Sequence, residues 1–284
     1  MMQPRSLHRR RDCLRAAGAA LLLAAGGPSL SAPPAGPDNP DAIPTWQKLR
    51  VALFQQRPIA PAGDWLRLVL PVRAEDAAIV PVAVETRPDS SPAHAIESLY
   101  LVIDNNPSPL AAVFRFGPRS GRADLETRVR IDEYTHVRAI AQTRDGQLHM
   151  ALGYVKASGG CSAPPGKDAQ AAQATLGRMR LQVQPPPQPG AAQVAQLMIS
   201  HPNSSGLAMD QVSRLYAPPH FVRQLTVTLA GEPVLSADLD FAISENPHFR
   251  FYVQPHGDAE LKAEIVDNED LKFHTALMLR ASGS

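Results

Sequence analysis

Short runs that alternate apolar and polar residues, cut by turn signals at close intervals, constrain this chain most. Thr127-Arg128-Val129-Arg130-Ile131-Asp132 is the cleanest run, with one apolar face and one charged face. A period of two is the signature of a half-buried strand. Strand-like segments of this kind cover residues 66–70, 79–84, 96–103, 112–116, 125–131, 136–142 and 148–155. Asp104-Asn105-Asn106-Pro107 is a strong turn, and Asp145-Gly146 is a tight hairpin between the last two segments. Short strands at this spacing predict an antiparallel β-sandwich. Ahead of them, Thr45 is placed to cap a short helix over residues 46–56, with Trp46, Leu49, Leu53 and Phe54 on one face.

A second series follows, at residues 194–200, 224–229, 234–239, 249–253, 261–266 and 272–279, with Ala230-Gly231-Glu232 as a hairpin turn. The expected fold class is therefore all-β, two sandwich domains joined by a Gly/Pro-rich segment. Many of the 28 prolines lie at segment junctions, where they end strands and stiffen linkers. The break falls at 158–190, which holds one more candidate strand at 179–183 and the run Pro185-Pro186-Pro187-Gln188-Pro189-Gly190, a stiff spacer. The domains are set at 32–157 and 191–284, with residues 32–44 as a loose leader.

Residues 1–31 read as an export signal of twin-arginine type. Arg9, Arg10 and Arg11 precede Asp12-Cys13-Leu14, then an alanine-rich run with Leu21, Leu22 and Leu23, and Ser29-Leu30-Ser31 before Ala32 as a cleavage site. The apolar run is too short to span a bilayer as a stable helix. The expected location is the bacterial periplasm. Cleavage removes Arg5, Arg9, Arg10, Arg11, Arg15 and Asp12, which leaves 23 Lys+Arg against 26 Asp+Glu from the full chain's 28 and 27. A mature net charge of −3 argues against nucleic acid as a partner.

The two cysteines are Cys13, inside the signal, and Cys161. A single thiol in an oxidising compartment is a liability or a tool. Gly159 and Gly160 precede Cys161, and Pro164-Pro165 follow it, so the residue is expected on an exposed, mobile arm with the glycines as a swivel. Lys156 and Lys167 are the nearest charges in sequence on either side and favour the reactive thiolate. An incidental loop cysteine, or one that forms an intermolecular disulfide, is equally compatible with these residues.

Enzyme machinery is not visible. The chain has no His-Glu-x-x-His pattern, no Gly-x-Ser-x-Gly elbow and no Gly-x-Gly-x-x-Gly loop. His136, His149, His201 and His248 are scattered and are read as surface or strand residues rather than ligands. No metal and no cofactor is expected, and the chain is not expected to be an enzyme.

The motifs then carry a resemblance. Ile79-Val80-Pro81-Val82, Asp104-Asn105-Asn106-Pro107-Ser108-Pro109, residues 127–131, Val137-Arg138-Ala139-Ile140-Ala141 and Val155-Lys156-Ala157-Ser158-Gly159-Gly160-Cys161 resemble SoxY, the carrier subunit of the periplasmic sulfur-oxidation system. Ile199-Ser200-His201-Pro202, Pro219-His220-Phe221-Val222, Ala237-Asp238-Leu239 and residues 242–249 resemble its partner subunit, SoxZ. The fused order resembles SoxYZ-like carriers associated with quinoprotein dehydrogenases. The resemblance implies two packed immunoglobulin-like sandwiches and a thioconjugate of a sulfur-containing intermediate on Cys161. In the SoxY pattern two more glycines follow the cysteine and the chain ends. Here Ser162-Ala163 follows and the chain continues, so the arm is an internal loop that reaches about 15 Å.

Two readings stand at this point. One is a periplasmic covalent carrier that presents cargo on Cys161 to enzymes of a sulfur-oxidation-like or quinoprotein dehydrogenase system. The alternative is an adaptor that docks on a periplasmic quinoprotein dehydrogenase without thiol chemistry.

Overall fold

The computed structural model describes residues 39–87, 95–164, 173–185, 188, 190–209 and 214–280. The expected export signal, most of the expected leader, Lys167 and half of the 185–190 run lie outside the described residues.

Helix α1 (Pro44–Phe54) opens the fold. It starts two residues earlier than expected, because Pro44 occupies its first turn, where a missing N–H costs nothing. Thr45 is not its cap; Ile43 holds that position without a side-chain hydrogen bond. The expected apolar face is correct. Trp46 and Phe54 are buried with Val102, Ile140 and Leu148, and Leu49 and Leu53 pack against them.

The first half then supplies β1 (Ala60–Pro61), β2 (Leu66–Val69), β3 (Val80–Thr86), β4 (Ile96–Ile103), β5 (Leu110–Phe116), β6 (Leu125–Val129), β7 (Thr135–Thr143) and β8 (Leu148–Val155). The second half supplies β9 (Met179–Val183), β10 (Gln193–Ile199), β11 (Val222–Leu229), β12 (Glu232–Leu239), β13 (His248–Val253), β14 (Ala259–Asp267) and β15 (Lys272–Leu279). The fold is all-β, with immunoglobulin-like sandwich halves. Both hairpin expectations match the backbone. Gly146 has φ 84°, and Ala230 and Gly231 have φ 49° and 82°, the paired positive values of a tight β-turn.

The two halves share their sheets. One sheet runs β1-β8-β7-β4-β5-β12-β11-β14-β15, the other β2-β3-β6-β13-β10-β9. The crossing in the first is a true ladder, with β5 and β12 antiparallel from Leu235 opposite Phe116 to Leu239 opposite Ala112. Gly117 lets the backbones meet beside it: a Cβ there would lie 2.2 Å from the Pro233 carbonyl oxygen. The crossing in the second is narrower, a single registered pair of Arg250 and Glu126. Just beyond β6, the Arg130 N–H donates to the Ala242 carbonyl at 2.7 Å, and the Ser244 N–H donates to the Arg128 carbonyl at 3.0 Å. One apolar core, including Phe114, Val129, Ile131, Phe249 and Phe251, runs through both halves.

A buried ion pair ties the N-terminal segment to this frame. Arg138 and Asp104 have fully buried side chains, 2.8 Å apart. Arg138 also donates to the Pro40 carbonyl at 2.6 Å and lies 4.2 Å from the centre of the Trp46 ring.

Candidate functional site: the docked Cys161 arm

After β8 the chain passes Lys156 and Ala157 and turns through Ser158-Gly159-Gly160-Cys161. The arm does not stand away from the body. Cys161 is 0% exposed and carries a free thiol. The expected exposed cysteine is therefore corrected: in this conformation the arm is docked.

The physical reason is that Gly160 serves closeness rather than motion. A Cβ on Gly160 would sit 2.0 Å from the Ala77 carbonyl oxygen and 2.7 Å from that of Ile131. Only glycine lets the arm lie against those two backbones. Its N–H donates to the Ile131 carbonyl at 2.8 Å, and Gly159 N–H donates to the Asp132 carbonyl at 2.7 Å. Gly159 has φ 80° and open space where a Cβ would go, so its requirement is conformational. Neither glycine acts as a swivel while these bonds hold.

Two side chains, one from each half, hold the arm by its carbonyls. Arg130 donates to the Gly160 carbonyl and, from its other terminal nitrogen, to the Asn203 carbonyl, both at 3.3 Å. The Ser205 hydroxyl donates to the Cys161 carbonyl at 2.5 Å and accepts from the Leu207 N–H at 3.1 Å. Asn203 is itself anchored, donating to the Ile243 carbonyl and accepting from the Val222 N–H, each at 3.1 Å. Arg130 is 3% exposed, and its Nε–H has no hydrogen-bond partner. Burial holds its pKa below the ordinary guanidinium value.

Burial dominates the thiol. It pushes the Cys161 pKa up to about 12; Asp132 and Asp240 add to the rise, and Arg130 opposes it. The docked cysteine is therefore a neutral, unreactive thiol. Among the described residues Arg130, and not Lys156, is the cation that favours the thiolate; Lys167 lies outside them. Lys156 is buried and pairs through its backbone with Arg73.

The 201–205 segment leads from the arm to a cluster invisible in sequence. His201, His220 and Asp267 lie within 4.8 Å of one another through their ligating atoms. The surface reading of His201 is corrected, since it is 2% exposed. The Asn203 N–H donates to His201 Nδ1 at 3.1 Å, which places the proton of the neutral ring on Nε2. That Nε2 has no hydrogen-bond partner and lies 3.6 Å from Asp267 Oδ2, whereas His220 Nε2 reaches the same oxygen at 2.8 Å. Asp267 Oδ1 accepts from the backbone N–H groups of Glu269 and Leu271 at 2.9 and 2.8 Å. A nitrogen that carries its proton offers no lone pair to a metal, so the arrangement reads as a brace behind the 201–205 segment, with His220 hydrogen-bonded to Asp267 and His201 held by the Asn203 N–H.

Sequence comparison places both halves. The description "Sulfur oxidation protein SoxY" matches residues 50–161, and "Sulphur oxidation protein SoxZ" matches residues 180–277. The chain belongs to the SoxYZ-like family, as a SoxY–SoxZ fusion. The SoxY match ends on Cys161 itself, the residue enclosed between the halves. Membership supports a sulfur-oxidation carrier-type role and implies sulfur-oxidation partners. No curated protein matches the chain. Similar solved structures include a beta-glycosidase from Bacteroides vulgatus (8% identity, TM-score 0.23, covering 76% of this chain and 25% of that one). They also include the BSP domain of a biofilm associated protein (7%, 0.24, 77% and 30%) and a glycosyl hydrolase family 2 member from Bacteroides cellulosilyticus DSM 14838 (10%, 0.22, 82% and 30%). The chain thus spans less than a third of the length of those solved chains. No helix among the described residues is long and apolar enough to cross a membrane.

Proposed function

We propose that this chain is a non-enzymatic covalent carrier that holds a sulfur-containing intermediate as a thioconjugate on Cys161 and presents it to partner enzymes. It acts in the periplasm after export, within a sulfur-oxidation-like system linked to a quinoprotein dehydrogenase. The observation that carries this reading is the placement of Cys161, at the end of the SoxY match on an arm held by hydrogen bonds rather than by a strand ladder. Such an arm can open without unfolding a sheet. Intact mass of the protein isolated from its native host tests the reading, with an adduct on Cys161 expected. Complementation of a deletion strain by Cys161→Ala at normal protein levels would reject it.

The adaptor reading keeps one specific support, the burial of a thiol whose pKa lies near 12. An unmodified Cys161 in the native host, together with full activity of Cys161→Ser, would establish that alternative.

A further inference from the structure

The carrier reading leaves Arg130 and Ser205 without a role, although both are buried and both bond the arm. Arg130 is the more demanding case. A buried guanidinium is costly unless its donors are matched. This one makes two long bonds to carbonyls and leaves Nε–H unsatisfied. One of those bonds joins the arm, and the other joins the Asn203 carbonyl of the second half. Ser205 repeats the arrangement one residue along the arm, from the second half. The strongest buried charge near the thiol is therefore spent on the arm's backbone.

The enclosure also sets what can dock. Every atom of Cys161 is already covered. A sulfur-linked oxoanion would add several atoms and a negative charge to a place where Asp132 and Asp240 already oppose negative charge on the sulfur. Arg130, the cation among the described residues that favours it, is engaged with two carbonyls.

We propose that Arg130 and Ser205 are the latch of the carrier arm, closing it over the unloaded thiol and leaving it open when Cys161 carries an anion. The latch rests on the carrier reading for its biological meaning, but its test does not. It makes Arg130 and Ser205 positioning residues: they touch the arm and set how often the thiol is offered to a partner.

The test measures labelling of Cys161 by iodoacetamide, a neutral reagent, in the purified full chain, read by mass at the peptide that contains Cys161. A docked thiol reacts only through transient opening, so the labelling rate follows the open fraction. Ser205→Ala removes one arm bond and should raise the rate by about fivefold. Arg130→Met should raise it by at least about tenfold. Amide exchange in β5 and β12 serves as the control for the body of the protein. If Arg130→Met fails to fold, Ser205→Ala decides alone, and a wild-type labelling rate in that variant overturns the latch. The loading arm uses tetrathionate: the Cys161 thiolate attacks an inner sulfur, a new S–S bond forms, and thiosulfate leaves with the electron pair of the broken bond. The product is Cys161–S–S–SO3⁻. In this adduct the amides of Gly159 and Gly160 should exchange at least tenfold faster than in the free thiol. Equal protection in the two forms would show that the arm redocks with its cargo and would refute the second half of the proposal. Loss of function on Cys161→Ala in the host bears on the carrier reading alone, so failure of either claim is distinguishable from failure of the other.

Discussion

Gly160→Ala is the sharpest perturbation of the docked arm. The new Cβ would lie 2.0 Å from the Ala77 carbonyl oxygen, 2.5 Å from its carbon and 2.7 Å from the Ile131 carbonyl oxygen. These are backbone atoms beside β3 and β6 that cannot swing aside, so the arm has to move. Moving it gives up four hydrogen bonds: Gly160 N–H to Ile131, Gly159 N–H to Asp132, Arg130 to the Gly160 carbonyl and Ser205 to the Cys161 carbonyl. At roughly 0.5–1.5 kcal/mol net each, docking weakens by about 2–6 kcal/mol. That corresponds to a rise of roughly 30- to 20,000-fold in the open fraction, capped where the arm is fully open. Labelling of Cys161 by iodoacetamide in native protein reads this directly. The sheets do not depend on the arm, so far-ultraviolet circular dichroism should be unchanged, and Tm should fall by about 2–4 °C per kcal/mol of docking lost. Gly159→Ala is the matched control: its Cβ meets nothing within 4 Å, and only the left-handed backbone at φ 80° costs, about 1–2 kcal/mol. A folded Gly160→Ala protein that labels as slowly as wild type would show that close packing of the arm is not what hides the thiol.

Three further outcomes follow from the same structure. Because the docked Cys161 pKa is raised to about 12, the docked state keeps its proton while a released thiol loses it. Docking is therefore fully stable below the ordinary thiol pKa and weakens as pH rises from about 8.5 toward 12, by about 1.4 kcal/mol per unit; thermal melts should fall more steeply there for wild type than for Cys161→Ser. His201 is depressed to about 4, chiefly by burial and then by His220, so the unfolded chain binds a proton the folded one refuses. Stability should drop as pH falls from about 6.5 to 4, by up to roughly 3 kcal/mol, and urea titrations of His201→Gln should show a flatter profile over that window. Asp104→Asn leaves the buried Arg138 with only the long 3.5 Å pair to the exposed Asp41 carboxylate and should cost about 3 kcal/mol by urea denaturation.

Strand positions were legible where burial alternates, as in β3, β6, β13 and β14, and where a short apolar run between turn signals is buried on both faces, as in β4 and β7. Residues 96–103, 148–155, 179–183 and 272–279 match β4, β8, β9 and β15 end to end. The site was not legible, because its geometry depends on contacts far apart in sequence. Gly-Gly beside a cysteine looks like freedom when only local sterics are considered. It becomes a packing requirement once Ala77 and Ile131 lie against Gly160. Arg130 was assigned to the charged face of an alternating run. That run leaves its strand after Val129, and Arg130 turns inward at the seam between the halves. His201 and His220 come from the two ends of the connection between β10 and β11, and Asp267 from the end of β14, with no spacing that would mark them.

The fusion gives the latch its logic. An arm at a chain end can be held or released by one partner alone. Here the chain must leave Cys161 and return to β9 in the same molecule, so the arm opens as a loop with both ends fixed. Its closed state is held by Arg130 from the first half and by Ser205 from the second, and Arg130 is also bonded to Asn203 across the seam. A small shift at that seam changes both grips on the arm at once. The seam is wide in one sheet, where β5 pairs with β12 over five residues, and narrow in the other, where β6 meets β13 at one registered pair and only an isolated Val129–Ile243 bridge with its flanking hydrogen bonds continues the seam to Arg130. A partner that bears on the narrow side therefore works against the weaker junction and next to the latch. This predicts that a partner's effect on Cys161 labelling is lost when the narrow seam is reinforced by a disulfide across it, while labelling of the free chain still responds to Ser205→Ala. Undiminished partner-induced labelling in the cross-linked protein would show that the arm opens without movement at the seam.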